Sequence, residues 1–309
     1  MNKKFLFYII KRILLAFVTV VIVISVTFFA MQLIPGGPFT SERAVSPESL
    51  ARLEAMYGLD QPIMVQYFRY LQNAIVFNFG YSIKSRGAVA VIDIIFRGMR
   101  YSAATGIIAA SIAILLGVIL GSFAAYKHNT WVDKTIMVFS TASVAVPSFV
   151  VSTLLLYLFC VEWKLLPANG SSWRGFILPT ITLSFSPMAY IIRLTRSSTL
   201  DVLNSDYIRT AHAKGLSFTR VLYKHSLRNS LTPVITYGGP MIAFIITGSL
   251  VVEKIFGVPG IGRDYVSSIT NRDYPVIMGL TIFLTYLIII MVLVSDILYK
   301  VVNPRVELE

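Results

Sequence analysis

The distribution of charge along the chain is the feature that most limits how it can fold. Six windows contain no Asp, Glu, Lys or Arg, and each is 18 to 27 residues long. They cover residues 13–34, 101–126, 135–161, 175–192, 229–252 and 274–295. A helix needs about 20 apolar residues to cross roughly 30 Å of hydrocarbon, because its backbone must satisfy its own hydrogen bonds there. The sequence therefore predicts an all-α polytopic membrane protein with six transmembrane helices.

The composition of the chain agrees with a membrane protein. Of its 309 residues, 56% are hydrophobic and 14% are charged, whereas about a quarter of the residues in a soluble domain are charged. The formal net charge of +12 fits an excess of Lys and Arg at membrane edges. The only cysteine is Cys160, so the chain can form neither an intramolecular disulfide nor a Cys-based zinc or iron-sulfur site.

The positions of the basic residues predict the orientation of the chain. If all six windows cross, the basic N-terminus and the basic segments 127–134 and 193–228 lie on one side, and the positive-inside rule makes that side cytoplasmic. Both termini are then cytoplasmic. A cleaved signal peptide is the alternative for the N-terminus, but its 22-residue apolar run is too long for a typical signal sequence.

These windows suggest a division of the chain into segments. We expect a cytoplasmic N-terminus and first transmembrane helix in 1–34, an extracytoplasmic helical loop in 35–100, a five-helix membrane domain in 101–299 and a cytoplasmic tail in 300–309. In the outer loop, Ser46 and Pro47 favour the start of a helix that ends at Gly58, and a second helix starts at Pro62.

Small residues and prolines within the windows predict close packing and kinks. A small-residue stripe that allows another helix to approach closely consists of Gly106, Ala110, Ala113, Gly117 and Gly121. Prolines that remove a backbone donor and favour a kink are Pro147, Pro179, Pro187, Pro233 and Pro240. Kinked spans suit a path that opens and closes, although they also occur in static bundles.

The windows and motifs disfavour ion-coupled transport and enzymatic activity. No Asp, Glu, Lys, Arg or His lies deep in any window, whereas proton relays and ion-coupled carriers keep carboxylates or His near the midplane. Side chains that could line a path for a polar, roughly neutral substrate, or simply bond between helices, are Thr141, Ser143, Ser148, Tyr190, Tyr237 and Thr247. There is no HExxH, GxSxG or GxxxxGK[ST] motif and no metal-ligand spacing. Active transport would need a partner to bind ATP.

The segment 193–228 is predicted to form a helix, a glycine turn and a second helix. Ser205 or Asp206 can cap the first helix, Gly215 can adopt the left-handed turn that ends it, and Ser217 can cap the second. The segment is basic and amphipathic. Three interpretations are open: a nucleic-acid reader, a face held on anionic lipid, or a docking element for a cytoplasmic motor.

The same segment resembles the EAA loop of ABC importer permeases, which reads Glu-Ala-Ala, three residues, Gly, nine residues, then Ile-x-Leu-Pro. Aligned on Gly215, the pattern falls on Arg209, Thr210, Ala211, His225, Ser226, Leu227 and Arg228. Only Ala211, Gly215 and Leu227 match the general form. The departures are those of the peptide-importer branch, in which RTARAKG followed by H-x-LRN is usual. Arg209 replaces the general Glu, so contacts made by that Glu elsewhere do not transfer.

Further motifs resemble the first permease subunit of oligopeptide and dipeptide ABC importers (OppB/DppB type). They are LIPGGPFTSER, YGLDQPIMVQYFRYL, AVPSFV, TGSLVVEKIFGVPGIG and NRDYP, and PGGPFTSER is most similar to the oligopeptide form. The resemblance implies a type I ABC importer permease fold in a bacterial cytoplasmic membrane, with 101–299 as the type I transmembrane domain.

The resemblance also implies partners and site residues. The expected partners are a second homologous permease, two cytoplasmic ABC ATPases that bind ATP and Mg, and an extracellular or periplasmic peptide-binding protein; this chain itself holds no cofactor or metal. Residues expected to couple to the ATPase are Arg209, Thr210, Ala211, Gly215, Leu216, His225, Leu227 and Arg228. An outer-mouth loop is expected at Gly257, Pro259, Gly260 and Gly262.

The predicted function is therefore that of a non-enzymatic permease that moves oligopeptides into the cell by alternating access. Import of dipeptides or of nickel and other metal chelates by the same architecture is one alternative, because the branch shares its motifs across these substrates. A peptide-sensing membrane scaffold without transport is the alternative from another functional class.

Overall fold

The computed structural model describes residues 3–34, 58–85, 88–170, 172–215 and 230–302. The described chain is almost entirely helical, and this confirms the prediction of an all-α membrane protein. Its helices are α1 Lys3–Gln32, α2 Ile63–Ile75, α3 Val91–Tyr126, α4 Trp131–Ala145, α5 Ser148–Leu156, α6 Ile177–Leu203, α7 Asp206–Ala213, α8 Thr232–Ile246, α9 Leu250–Ile255, α10 Ile261–Thr270 and α11 Tyr274–Val302. The predicted helix that ends at Gly58 lies mostly outside these residues. The helix predicted after Pro62 is α2.

Within the described residues, five segments are long and apolar enough to cross a membrane. They are Ile10–Gln32, Val91–Tyr126, Arg174–Leu203, Thr232–Ile255 and Tyr274–Ser295. The predicted third span is instead a pair of helical segments, Trp131–Ala145 and Ser148–Glu162, bent by 99°. The described chain therefore has five candidate spans, and six if the bent pair crosses as one.

The bend has a local cause at Pro147. Proline disfavours helical geometry in the residue before it and donates no backbone hydrogen bond. Val146 accordingly has φ −85° and ψ 122°, which places an extended residue between α4 and α5. The predicted kink at Pro147 is confirmed, and it is large enough to break the helix.

The other prolines have smaller effects. Pro187 and Pro240 lie inside α6 and α8. Pro179 and Pro233 lie in the first turns of the same helices, where the backbone N–H has no intrahelical acceptor in any case. The kinks predicted at these two positions are therefore not required, because proline there removes no helical hydrogen bond.

The chain forms two compact units, one of which comprises residues 1–101 and 260–289. Its apolar core includes Val20, Ile24, Phe79, Val91, Ile95, Ile261, Leu280 and Ile282. Buried Asp273 holds the segment before α3 in place. Its carboxylate accepts hydrogen bonds from the Ser82 hydroxyl at 2.5 Å and from the backbone N–H groups of Ile83 at 3.1 Å and Lys84 at 3.3 Å.

The other unit, residues 102–259 with 290–308, is built around the small-residue stripe of α3. A Cβ added at Gly106 would lie 2.9 Å from the carbonyl oxygen of Ile245 in α8. A Cβ added at Gly117 would lie 2.7 Å from the Ile191 side chain in α6. The stripe thus allows α6 and α8 to approach α3 closely, as the sequence predicts.

Replacing Gly121 by Leu is expected to lower the melting temperature of the protein. An added Cβ there would lie 2.6 Å from the carbonyl oxygen of Ile192 and 2.7 Å from Thr195 Cβ, and overpacking of this kind costs about 1–3 kcal/mol. The matched control is Gly238→Ala in α8, where nothing lies within 4 Å of the added Cβ. Thermal unfolding in mild detergent compares the variants. A Gly121→Leu protein that melts with the wild type would contradict this packing.

Candidate coupling site

α6 carries charged residues beyond the predicted fourth window. The window ends at Ile192, but the helix continues to Leu203 and includes Arg193, Arg196 and Asp201. The first part of the predicted 193–228 segment is therefore a direct extension of a membrane-spanning helix. A displacement of this segment would act on α6 itself.

An ion pair joins α6 to α4. Arg196 Nε lies 2.6 Å from Asp133 Oδ1, and Arg196 Nη2 lies 2.7 Å from Asp133 Oδ2. Asp133 is only 3% exposed and also accepts the Asn129 backbone N–H at 3.0 Å. The Nδ1 atom of the half-exposed His128 ring lies 3.2 Å from Arg196 Nη2. A bidentate contact between an arginine and a carboxylate is among the strongest polar interactions in proteins.

Sequence reasoning missed this pair because charge-free windows do not show which charged residues meet at their edges. Asp133 and Arg196 lie just beyond the edges of two windows and are separated by 63 positions. The structure shows that the two residues meet because the helices that carry them, α4 and α6, pack against each other. The only sequence signal was one acid near the start of a span and one base near the end of another.

Glu253 is a second buried acid that the windows excluded. It lies one residue beyond the fifth window, in α9 at the end of the span Thr232–Ile255. The residue is 1% exposed, and its Oε1 accepts a hydrogen bond from the Ser102 hydroxyl at 2.7 Å. A third acid, Asp264 on α10, lies outside the spans. Its burial raises the pKa of its carboxyl, and this effect is larger than the lowering of the pKa by the positive charges of Arg97 and Arg263.

α7 is the described part of the predicted coupling helices, and it packs on the end of α6. Ile208 is 1% exposed and contacts a small cluster with Val202 and Leu203. The Ser205 hydroxyl donates to the Val202 carbonyl oxygen at 2.6 Å, and the Ile208 N–H donates to the Ser205 carbonyl oxygen at 3.1 Å. The short connection of Asn204 and Ser205 is thereby closed by both apolar and polar contacts.

Gly215 adopts the backbone conformation that the sequence predicts. Its φ is +76°, in the left-handed region, and nothing lies within 4 Å of an added Cβ. It follows α7 by two residues, and α7 carries Arg209, Thr210 and Ala211. The other predicted coupling residues, Leu216, His225, Leu227 and Arg228, lie outside the described residues, as does the predicted second helix.

The predicted outer-mouth residues flank two helix ends. Gly257 has φ +61° and follows α9 together with Pro259. The preceding Phe256 is 1% exposed, and its carbonyl oxygen accepts the Gly170 N–H at 2.8 Å. Gly260 is the residue before α10, and Gly262 is buried in the first turn of that helix.

Two protein-family models together match almost the whole chain. "Binding-protein-dependent transport system inner membrane component" matches residues 117–308, and the corresponding N-terminal membrane component matches residues 5–96. The chain is 44% identical over 304 residues to the dipeptide transport system permease protein DppB of Bacillus subtilis, covering 97% of this chain and 98% of that protein. It is 43% identical over 303 residues to the oligopeptide transport system permease protein OppB of Salmonella typhimurium, covering 97% and 99%.

The fold is also similar to that of a solved transporter. An inward-facing structure of the MetNI methionine ABC transporter matches with a TM-score of 0.56 and 12% identity, over 69% of this chain and 97% of the matched chain. This likeness concerns the fold and agrees with the type I importer permease architecture that the sequence resemblance implies. The chain therefore belongs to the family of binding-protein-dependent transport system inner membrane components and, within it, to the oligopeptide and dipeptide ABC permeases.

Proposed function

We propose that the chain is the permease subunit of an ATP-driven importer that translocates oligopeptides into the cell by alternating access. The observation that supports this most directly is the identity of 44% and 43% to dipeptide and oligopeptide permeases over nearly the full length of both chains. In this proposal the protein spans the bacterial cytoplasmic membrane with both termini in the cytoplasm, and it provides the path rather than the energy.

The energy comes from partners. The sequence has no P-loop motif, so two ABC ATPases bind ATP and Mg on the cytoplasmic side. A second homologous permease completes the path, and a peptide-binding protein delivers substrate from outside. Gly257, Pro259, Gly260 and Gly262 are assigned to the mouth that faces this binding protein.

Coupling passes through α7 into α6. The ATPase contacts α7 and the residues around Gly215, and its motion is carried to α6 because Ile208 packs against Val202 and Leu203. The Arg196–Asp133 pair then transmits the displacement to α4. A shift at the ATPase surface becomes a rigid-body movement of packed helices between two states.

Co-purification tests the assembly. The tagged chain is extracted from its native membrane in mild detergent, and the proteins that accompany it are identified beside a Gly215→Pro, Arg228→Glu variant. We expect two P-loop ATPases and a second permease with the wild type and a reduced yield of ATPase with the variant. Recovery of the chain alone, under conditions that preserve other membrane complexes, would instead support the peptide-sensing scaffold.

The choice of oligopeptides over dipeptides or metal chelates needs a transport measurement, since relatives carry both peptide names. Labelled pentapeptide is supplied to cells that contain the complete transporter, with an excess of unlabelled tetrapeptide, dipeptide or nickel chelate. Tetrapeptide should compete strongly and the other two weakly. Competition by dipeptide or nickel at similar concentrations would favour the alternative substrate.

A further inference from the structure

α6 has one polar face that is exposed to the surroundings of the chain and does not pack in its apolar core. The face consists of Ser186, Tyr190, Arg193, Ser197 and Asp201, which follow one another at helical spacings of 4, 3, 4 and 4. All are exposed except Arg193, which is partly exposed, and Tyr190 is 44% exposed. The opposite side of the helix is buried and includes Met188, Ile191 and Ile192.

The part of this face that lies within the span, from Ser186 to Arg193, is unfavourable against lipid tails. Polar and charged side chains within a span face the bundle interior or a water-filled cavity, because hydrocarbon offers them no hydrogen-bonding partner. Arg193 follows Arg174, at the other end of the span, by 19 residues, or about 28 Å along the helix. It therefore lies near the edge of the hydrocarbon, on the side that leads to α7.

The two arginines of this region differ in their partners. Arg196 is neutralised by Asp133. Within the described residues, Arg193 has no hydrogen bond or ion pair, and its guanidinium carbon lies 6.0 Å from the centre of the Tyr190 ring. Tyr190 in turn packs against Tyr237 of α8, with ring centres 4.3 Å apart. Among the residues that the structure describes, Arg193 is thus a cation without a counter-ion, and it lies beside a pair of phenols.

We propose that Arg193, Tyr190 and Tyr237 form a binding station for the C-terminal carboxylate of a peptide as it passes through the transporter. The proposal rests on the proposed function and adds to it the group that is recognised. A path for peptides of varied sequence cannot depend on one side chain, but every unmodified peptide carries this carboxylate. A guanidinium binds a carboxylate through two parallel hydrogen bonds, and the phenol rings offer contact area to any side chain.

The test uses the complete transporter in lipid vesicles, with its ATPases, second permease and binding protein. Uptake is measured for a pentapeptide with a free C-terminus and for the same peptide with a C-terminal amide. We compare the wild type with Arg193→Gln and Arg193→Lys. The matched control is Lys127→Gln, because Lys127 Nζ also lies over a tyrosine ring, that of Tyr126 at 5.0 Å, but lies outside α6.

Arg193→Gln should reduce uptake of the free acid by about tenfold, the usual scale of one lost charge-assisted hydrogen bond, while uptake of the amide changes little. The acid-to-amide ratio should therefore fall below the wild-type ratio. The ratio for Arg193→Lys should lie between those of Arg193→Gln and the wild type, and the ratio for Lys127→Gln should equal that of the wild type. The binding protein is identical in every sample, so its own preference does not affect these comparisons.

An acid-to-amide ratio that stays at the wild-type value in Arg193→Gln would overturn the inference. So would a loss of uptake that affects both peptides equally and depends on the anionic lipid content of the vesicles, because Arg193 would then bind lipid headgroups. A wild-type complex that hydrolyses ATP but imports neither peptide would overturn the proposed function, and the inference with it.

Discussion

Replacing Asp133 by Asn is expected to destabilise the protein by about 1–3 kcal/mol, because the change removes the charge that neutralises the partly buried Arg196. Arg196 makes two hydrogen bonds to this carboxylate, at 2.6 and 2.7 Å, and only 21% of its side chain is exposed. An arginine cannot lose its proton to relieve the cost. The free energy of unfolding of the purified protein in mild detergent measures the effect.

A double-mutant cycle separates the pair from its surroundings. Arg196→Gln in the Asp133→Asn background removes the isolated charge, so the double variant should be more stable than Asp133→Asn alone. Asp201→Asn is the matched control, since Asp201 is an exposed acid on the same helix and its substitution should change the stability by less than about 0.5 kcal/mol. Additive effects of the two substitutions would contradict the importance of the ion pair.

Replacing Gly215 by Pro is expected to abolish coupled transport while the protein remains inserted in the membrane. Proline restricts φ to about −65°, whereas Gly215 has φ +76°, so the chain must leave α7 in another direction. Peptide uptake by the complete transporter should fall at least tenfold, about the effect of 1.4 kcal/mol on a coupling equilibrium. ATP hydrolysis by the partner ATPases should no longer respond to peptide.

Gly215→Ala is the matched control for this prediction. The added Cβ meets nothing within 4 Å, so the cost is that of a left-handed L-residue, about 1–2 kcal/mol, and the turn can still form. We expect its uptake to lie between that of the wild type and that of Gly215→Pro. Normal uptake by Gly215→Pro, at equal amounts of inserted protein, would show that the turn does not transmit the motion.

Several elements could be predicted from the sequence because their causes are local. The charge-free windows predict helices since every backbone group in a bilayer needs a partner in the same segment. Pro147 bends the third predicted span, and Gly215 has positive φ, each through its own backbone chemistry. The small residues of α3 predict a close approach by other helices, although they do not identify those helices.

The window edges were less informative than the windows. They gave no partner for Asp133, Arg196 or Glu253, whereas the structure buries the two acids almost completely and pairs Arg196 with Asp133. A rule that counts charge along the chain cannot recognise a carboxylate that is neutralised by a base far away in the sequence. It also cannot recognise a carboxylate that accepts a hydrogen bond from a hydroxyl. The cost of burying a charge depends on its partners, and the partners are defined only in three dimensions.

The sequence by itself determined that this protein is a helical membrane protein, where most of its apolar helices lie, that a glycine turn follows α7, and which family it belongs to. These properties depend on backbone hydrogen bonding, on the bilayer thickness and on residues close together in the chain. Only the tertiary structure decided which face of α6 is buried, and Tyr190 and Arg193 lie on the opposite, polar face. It also decided which arginine neutralises Asp133. The physical reason is that Asp133 comes from α4 and Tyr237 from α8, so these contacts exist only after separate helices have packed together.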